Sequence, residues 1–288
     1  MNLRIWTLAV CTAVAGLRQT SPAHGREPDT TISAAKPNAD GILVHTLACA
    51  FQDRPTALRV LLPTRLEKDK RYPVLYVLPV EAGDGNHYGN GLLEIKKLGL
   101  QDKYGLICVE PTFARLPWYA DHPTAAGIRQ ESYLLKVVVP FVDEQYPVLR
   151  KPEGRLLLGF SKSGWGAFTL LLRHPDVFGR AAAWDAPLAM DAPGKYGSGE
   201  IFAGKENFEK YRVTKLLEER AGNLGEGKRL AILGYGSFRA EHMTVHTLMD
   251  RLKITHEYRD GPQRKHDWHS GWVAEAVAFL ATAQPVEK

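Results

Sequence analysis

The segment RLLLGFSKSGWGAF, residues 155–168, sets two hydroxyls and an ammonium, Ser161, Lys162 and Ser163, between an apolar run and a run of small residues. Two chemistries use such a junction. A phosphate-cradling loop needs Gly-x-x-x-x-Gly-Lys-Ser/Thr, with the lysine after the last glycine. Here Lys162 precedes Gly164, and that reading fails. A nucleophile elbow needs a strand, then Gly-x-Ser-x-Gly, then a helix, because the strained serine backbone tolerates only small neighbours two residues to either side. Gly159 and Ser161 fit, Ser163 stands where the second glycine is usual, and Gly164 and Gly166 continue the small face. Ser161 is thus a candidate nucleophile. The plainer reading is a Gly/Ser-rich helix start with Ser161 as its N-cap.

A serine nucleophile needs a base, which on this kind of turn follows the last strand in the chain order Ser, acid, His. His266, in DGPQRKHDWHSGW, lies in a loop after the last predicted strand and is the candidate base. His256 opens that strand at the end opposite the site, and His269 falls in the predicted final helix. His242 and His246 stand four apart on a helix, a spacing a metal can use, but no third ligand accompanies them, and a partly exposed helix face is the plainer reading. No metal and no other cofactor is expected.

These residues need a scaffold. Hydrophobic periodicity predicts strands at 41–52, 56–63, 73–80, 106–111, 155–160, 180–185, 229–235 and 255–260, and helices at 91–103, 132–146, 163–174, 206–221, 240–253 and 269–283. Two opening strands followed by alternating strand and helix imply an α/β fold, a mostly parallel sheet of about eight strands with helices on both faces. Ligands bind such sheets beyond the carboxyl ends of the strands.

With 288 residues, 44% of them hydrophobic, the chain suffices for one large domain, and no repeat or internal break argues for two. Residues 1–25 read as a signal peptide: Arg4, the apolar run IWTLAVCTAVAGL, too short to span a bilayer, and a small-residue cleavage site at Ala23-His24-Gly25. Residues 26–40 are polar and suit a disordered linker, which leaves 41–284 as the folded domain. A secreted or periplasmic protein with no membrane span is expected. Of the three cysteines, Cys49 and Cys108 remain after cleavage, each in an apolar run, and read as two buried thiols rather than a bridge. The formal charge of +5 falls to +3 when Arg4 and Arg18 leave with the leader, and the basic residues are scattered, so nucleic acid is not an expected partner.

The stretches RYPVLYVLPVEAG, WYADHP, VVVPFVDEQYPV, LLLGFSKSGWGAF and KHDWHSGW resemble the putative esterase family of the α/β-hydrolases, which includes esterase D, the feruloyl and acetyl xylan esterases and the mycolyl transferases. The resemblance spans about residues 41–283. It implies an α/β-hydrolase fold, Ser161 as nucleophile, His266 as base, and ester hydrolysis through an acyl-enzyme. It also implies an oxyanion hole, with the Lys162 N–H as first donor and Val80 or Glu81 as second. The chain departs from the family here, with Pro79-Val80-Glu81 where His-Gly or Ser-Gly is usual, and losing one such donor can cost a hundredfold or more in rate. The acid also departs. The family's carboxylate usually follows the strand that here ends in LGYGSFRAEHM, where only Glu241 is at hand, already inside a helix. Asp185, in RAAAWDAPLAM, stands directly at a strand's carboxyl end and is preferred, with Glu241 as the alternative. Asp267, beside His266, would point away from the ring it must orient.

Trp165, Trp184 and Trp268 lie within six residues of Ser161, Asp185 or His266, and Trp118-Tyr119 follows the fourth predicted strand. Aromatic faces in a cleft suit sugar rings or aryl groups, although the same residues could serve as core. The function expected is that of a secreted serine esterase acting on a small-molecule or carbohydrate ester, acylated carbohydrate being the sharpest reading. A hydrolase fold that has lost catalysis and serves as a binding protein, or an acyltransferase, are the alternatives.

Overall fold

The apolar runs at 73–80, 106–111, 155–160 and 180–185 fold as neighbouring strands whose residues are buried almost throughout, because helices cover both of their faces. The computed structural model describes residues 29–282, and the leader expected at 1–25 lies outside them. In chain order the strands are β1 (Thr31–Ile32), β2 (Lys36–Pro37), β3 (Leu43–Ala48), β4 (Thr56–Leu61), β5 (Val74–Val77), β6 (Ile107–Pro111), β7 (Arg155–Phe160), β8 (Arg180–Trp184), β9 (Leu230–Tyr235) and β10 (His256–Gln263). The helices are α1 (Gly91–Lys97), α2 (Leu100–Tyr104), α3 (Gln130–Tyr133), α4 (Val139–Gln145), α5 (Ser161–Arg173), α6 (Gly199–Phe202), α7 (Lys205–Glu209), α8 (Val213–Arg220), α9 (Arg239–Arg251) and α10 (Val273–Thr282).

All ten strands of the described residues join one sheet in the order β1-β3-β4-β6-β5-β7-β8-β9-β10, with β2 also on β3. The pairings are antiparallel from β1 to β6 and parallel from β6 through β10. This is the α/β-hydrolase architecture expected, with β3–β10 as its eight strands. One apolar core lies under α4, α5, α8 and α9, and a second lies on the opposite face under α1, α2 and α10. No helix among the described residues is long and apolar enough to cross a membrane. Cys108 is buried and Cys49 half-buried, both as free thiols, and burial pushes both thiol pKa values up.

Five expectations need correction. The helix expected at 206–221 is two, α7 and α8, parted at residues 210–212. Of the segment expected to be a disordered linker, 26–40, the described residues 29–40 instead lay β1 and β2 on β3, fixed further by Ser33 N–H to Thr46 O and Asn38 N–H to Ile42 O, both 2.9 Å. Two-residue strands are too short to show alternation, and Pro37 is tolerated because it sits in an edge strand. The helix expected at 91–103 breaks at Gly99, which adopts φ 63. The helix expected at 132–146 passes through a π turn at Leu134–Val138, where Pro140 has no N–H to return to the preceding turn. The final helix starts only at Val273, so His269 lies in the loop before it: Asp267 holds that loop, its Oδ1 accepting the His269 N–H at 2.8 Å and its carbonyl the Ser270 hydroxyl at 3.0 Å.

Candidate active site

Phe160 ends β7 in extended backbone, and Ser161 then turns through φ 51 into α5. A left-handed serine costs on the order of 1–3 kcal/mol and persists only when its surroundings hold it. The Ser161 N–H donates to the Asp185 carbonyl at 3.1 Å. The Ser163 hydroxyl accepts from the Phe160 N–H at 3.0 Å and donates to the Phe160 carbonyl at 2.9 Å. This is why serine can stand where the second glycine is usual: its side chain folds back and ties the elbow. A Cβ on Gly159 would lie 2.3 Å from the Ser163 carbonyl oxygen, and one on Gly164 2.7 Å from the Ala186 methyl. Ser161 is therefore the first helical residue and does not cap the helix.

Asp185 follows β8, is fully buried and also adopts a positive φ, of 40. Its Oδ1 accepts the N–H groups of Ser237 and Phe238, each at 2.7 Å, and its Oδ2 accepts Nδ1–H of His266 at 2.5 Å. Burial pushes the carboxyl's pKa up, but the hydrogen bonds from His266 and the loop N–H groups outweigh it and hold the group below its ordinary value. A Cβ on Gly236 would lie 2.5 Å from Oδ2, so glycine there makes room for the carboxylate. Since Nδ1 carries the proton, Nε2 of neutral His266 is left as an acceptor. The rings of Phe160 (5.0 Å between centroids), Tyr88 (5.4 Å) and Phe238 (5.9 Å) surround the imidazole.

Asp185 thus holds Ser161 through its backbone and His266 through its carboxylate. Glu241 does neither. Its Oε2 accepts the Ala189 N–H at 2.6 Å, which fastens the turn after Asp185, and burial pushes its pKa up. Lys162 is the second residue of α5, where N–H groups have no partner within the helix. Val80 and Glu81 follow β5 beside the elbow, since Leu78 N–H bonds to Leu158 O at 2.9 Å. The Tyr119 hydroxyl donates to Pro79 O at 2.5 Å and so fixes the start of that loop. Ser161, Lys162, Val80, Glu81, Asp185 and His266 all lie beyond the carboxyl ends of parallel strands, where this architecture places ligands.

The profile of the family described as "Putative esterase" matches residues 116–274, more than half of the chain and inclusive of Ser161, Asp185 and His266. The chain belongs to this esterase family. Among solved structures, S-formylglutathione hydrolase from Staphylococcus aureus superposes with a TM-score of 0.66 at 17% identity, over 83% of this chain and 98% of that one. A ferulic acid esterase from Anaeromyces mucronatus, solved in complex with ferulic acid, gives 0.59 at 19% identity, over 90% and 94%. MPT51 of Mycobacterium tuberculosis gives 0.58 at 14% identity, over 86% and 97%. The esterase therefore shares their fold, and its family assigns it to carboxylic ester hydrolysis.

The aromatic residues expected to line a substrate cleft lie elsewhere in the esterase. Trp118, Tyr119, Trp165 and Trp184 have no exposed surface and Trp268 only 2%. Trp118 packs edge-on to Trp165 in one core, while Trp184 and Trp268 both stack on Trp272 in the other. Proximity in sequence misled because these side chains point from strand or helix into the layers behind the site. The open aromatic surface comes from loops instead. Tyr196, half exposed, stands edge-on to Phe238, and both line with Glu241 and His266 a cavity of about 480 Å³. Tyr88 stands edge-on to His266, with the Lys162 ammonium 6.0 Å from its ring centre. Burial pushes that ammonium's pKa down, against the pull of Glu81. Only the position of Phe238 just past a strand's carboxyl end could have flagged any of the three.

His242, expected on a partly exposed helix face, is buried instead. It is 2% exposed and accepts the Ala186 N–H at Nε2, 2.9 Å away, next to the acid of the candidate triad. Burial pulls its pKa down to about 4, against the Asp185 carboxylate. A second proton would also face the Ala186 donor. An unfolded imidazole titrates near ~6.5, so between about pH 6.5 and 4 the unfolded chain binds a proton that the folded one does not. Stability contributed by this ring is therefore complete above that window and falls as the pH drops through it, by on the order of 3 kcal/mol. Urea unfolding at pH 7 and pH 4 should show this loss, and His242→Gln should remove most of it. An unaltered pH dependence in the variant would refute the assignment.

Proposed function

We propose that this esterase is an exported serine hydrolase that cleaves small acylated-carbohydrate or aryl esters through an acyl-enzyme. The observation that carries the reading is the double hold of Asp185, whose carbonyl bonds Ser161 at 3.1 Å and whose carboxylate bonds His266 Nδ1 at 2.5 Å. In this mechanism His266 Nε2 takes the Ser161 proton as Oγ attacks the ester carbonyl carbon. The oxyanion meets the Lys162 N–H and the N–H of Val80 or Glu81. The tetrahedral intermediate expels the alcohol, which takes the proton back from the imidazolium. Water, deprotonated by Nε2, then attacks acyl-Ser161 and releases the carboxylic acid. The exposed face of Tyr196 beside Phe238 favours a flat ring in the substrate, and the related Anaeromyces enzyme was solved with ferulic acid. Export rests on Arg4 and the apolar run that follows it.

Purified protein should hydrolyse p-nitrophenyl acetate and take up one equivalent of a fluorophosphonate probe at Ser161, located by peptide mass spectrometry. A protein that neither turns over the ester nor reacts with the probe would be a binding protein on a hydrolase fold.

A further inference from the structure

At the far end of β10 from His266, the last turns of α9 and the start of β10 bring His246, Asp250 and His256 together, with one potential ligand atom from each within 4.8 Å of the others. His246 Nδ1 lies 2.8 Å from His256 Nε2. Asp250, one helical turn after His246, places a carboxylate oxygen 3.4 Å from His246 Nε2 and the other 4.0 Å from His256 Nε2. Two features fix the rings. His256 has a side chain only 5% exposed, and its Nδ1–H donates to the Ile254 carbonyl at 2.7 Å, which leaves Nε2 with its lone pair toward the cluster. His246 stacks on Tyr258 with centroids 3.8 Å apart and ring planes 11° from parallel. A carbonyl behind the second nitrogen is the usual support of a metal-bound histidine.

We propose that His246, Asp250 and His256 form a structural site for a zinc-class divalent cation. Two imidazoles and one carboxylate suit Zn²⁺, Ni²⁺ or Cu²⁺, whereas Mg²⁺ and Ca²⁺ prefer oxygen ligands. Tetrahedral Zn²⁺ with bonds of about 2.0–2.1 Å separates two ligand nitrogens by roughly 3.3 Å. The observed 2.8 Å is the length of the hydrogen bond that the ion replaces. Binding therefore opens the pair by about half an ångström, and the proton between the rings moves from His246 Nδ1 to His246 Nε2, so that a neutral imidazole holds the ion through Nδ1. The Asp250 side chain, 62% exposed, is free to swing in as third ligand and leaves a position for water. The ion would tie α9, which begins beside the N–H groups holding Asp185, to β10, which leads into the loop carrying His266. It touches none of the reacting groups, so its effect is on stability.

The test uses the full chain, stripped of metal with a chelator and titrated with ZnCl₂ by calorimetry and thermal unfolding. One Zn²⁺ per chain is expected, with a Tm rise of roughly 5 °C or more at about a hundredfold excess over Kd, and none with MgCl₂. Asp250→Asn, at an exposed side chain, should leave the metal-free Tm unchanged and weaken Zn²⁺ binding by about tenfold or more, since loss of even an outer-shell partner weakens a site 10–100-fold. His256→Gln should abolish the calorimetric site. Absence of a Tm rise in the parent protein, or binding of equal strength in both variants, overturns the proposal, the latter by placing the ion elsewhere.

Discussion

Ser161→Ala is expected to abolish ester hydrolysis, with kcat reduced on the order of 10⁶-fold, the size of effect seen when a serine nucleophile is removed from a triad that acts as a unit. The side chain contributes Oγ to the reaction, while the elbow itself rests on other groups: the Ser161 N–H on Asp185 O and the Ser163 hydroxyl on both polar groups of Phe160. Alanine keeps the Cβ and all of those bonds, so the melting temperature should barely move. Ser163→Ala is the matched control, two residues away with the same atoms removed. It deprives the buried Phe160 N–H and C=O of their partner, which costs about 1–3 kcal/mol and lowers Tm by about 2–4 °C per kcal/mol. Turnover per folded molecule should stay within about tenfold of the parent. Rates on p-nitrophenyl acetate and melting curves for both variants decide the matter. An active Ser161→Ala beside an inactive Ser163→Ala would show that the elbow presents the other hydroxyl.

What could be read before folding divides along physical lines. The elbow was legible because its tightest requirement is local: a Cβ on Gly159 would meet the Ser163 carbonyl, brought close by the turn itself. The parallel strands were legible because burial on both faces leaves uninterrupted apolar runs such as VLYV and LLLGF. Asp185 and His266 followed from where strands end, and the structure brings them together. Side-chain direction was not legible. Trp184 immediately precedes Asp185 and points to the opposite face, and Trp165, one turn beyond Ser161 on α5, packs against Trp118 and Phe202, so both are buried in the core. The surfaces that do face His266, Tyr196 and Phe238, come from irregular segments with no periodicity to betray them. The third ligand found wanting beside His242 and His246 was not legible for the same reason: His242 faces the core, and the partner of His246 arrives from the next strand as His256.

Asp185→Asn should lower kcat by about 10⁴-fold with little change in KM. The carboxylate presently accepts on both oxygens, Oδ1 from the Ser237 and Phe238 N–H groups and Oδ2 from His266 Nδ1–H. An amide keeps one acceptor and gains a donor. Its oxygen will stay with the two fixed backbone N–H groups, so its NH₂ faces His266 and bonds to an unprotonated Nδ1. The imidazole then carries its proton on Nε2, the nitrogen that must accept from Ser161, and the stabilising charge beside the imidazolium is also gone. The same change in a serine protease costs about ten-thousandfold for this reason. Glu241→Gln should alter turnover by less than about tenfold, because its amide oxygen can still accept the Ala189 N–H that Oε2 takes now. Both variants should be measured on one ester, with KM and kcat separated, since a loss confined to kcat marks a group needed only in the transition state. A crippled Glu241→Gln beside a healthy Asp185→Asn would transfer the acid to α9 and leave the 2.5 Å bond to His266 as a structural contact.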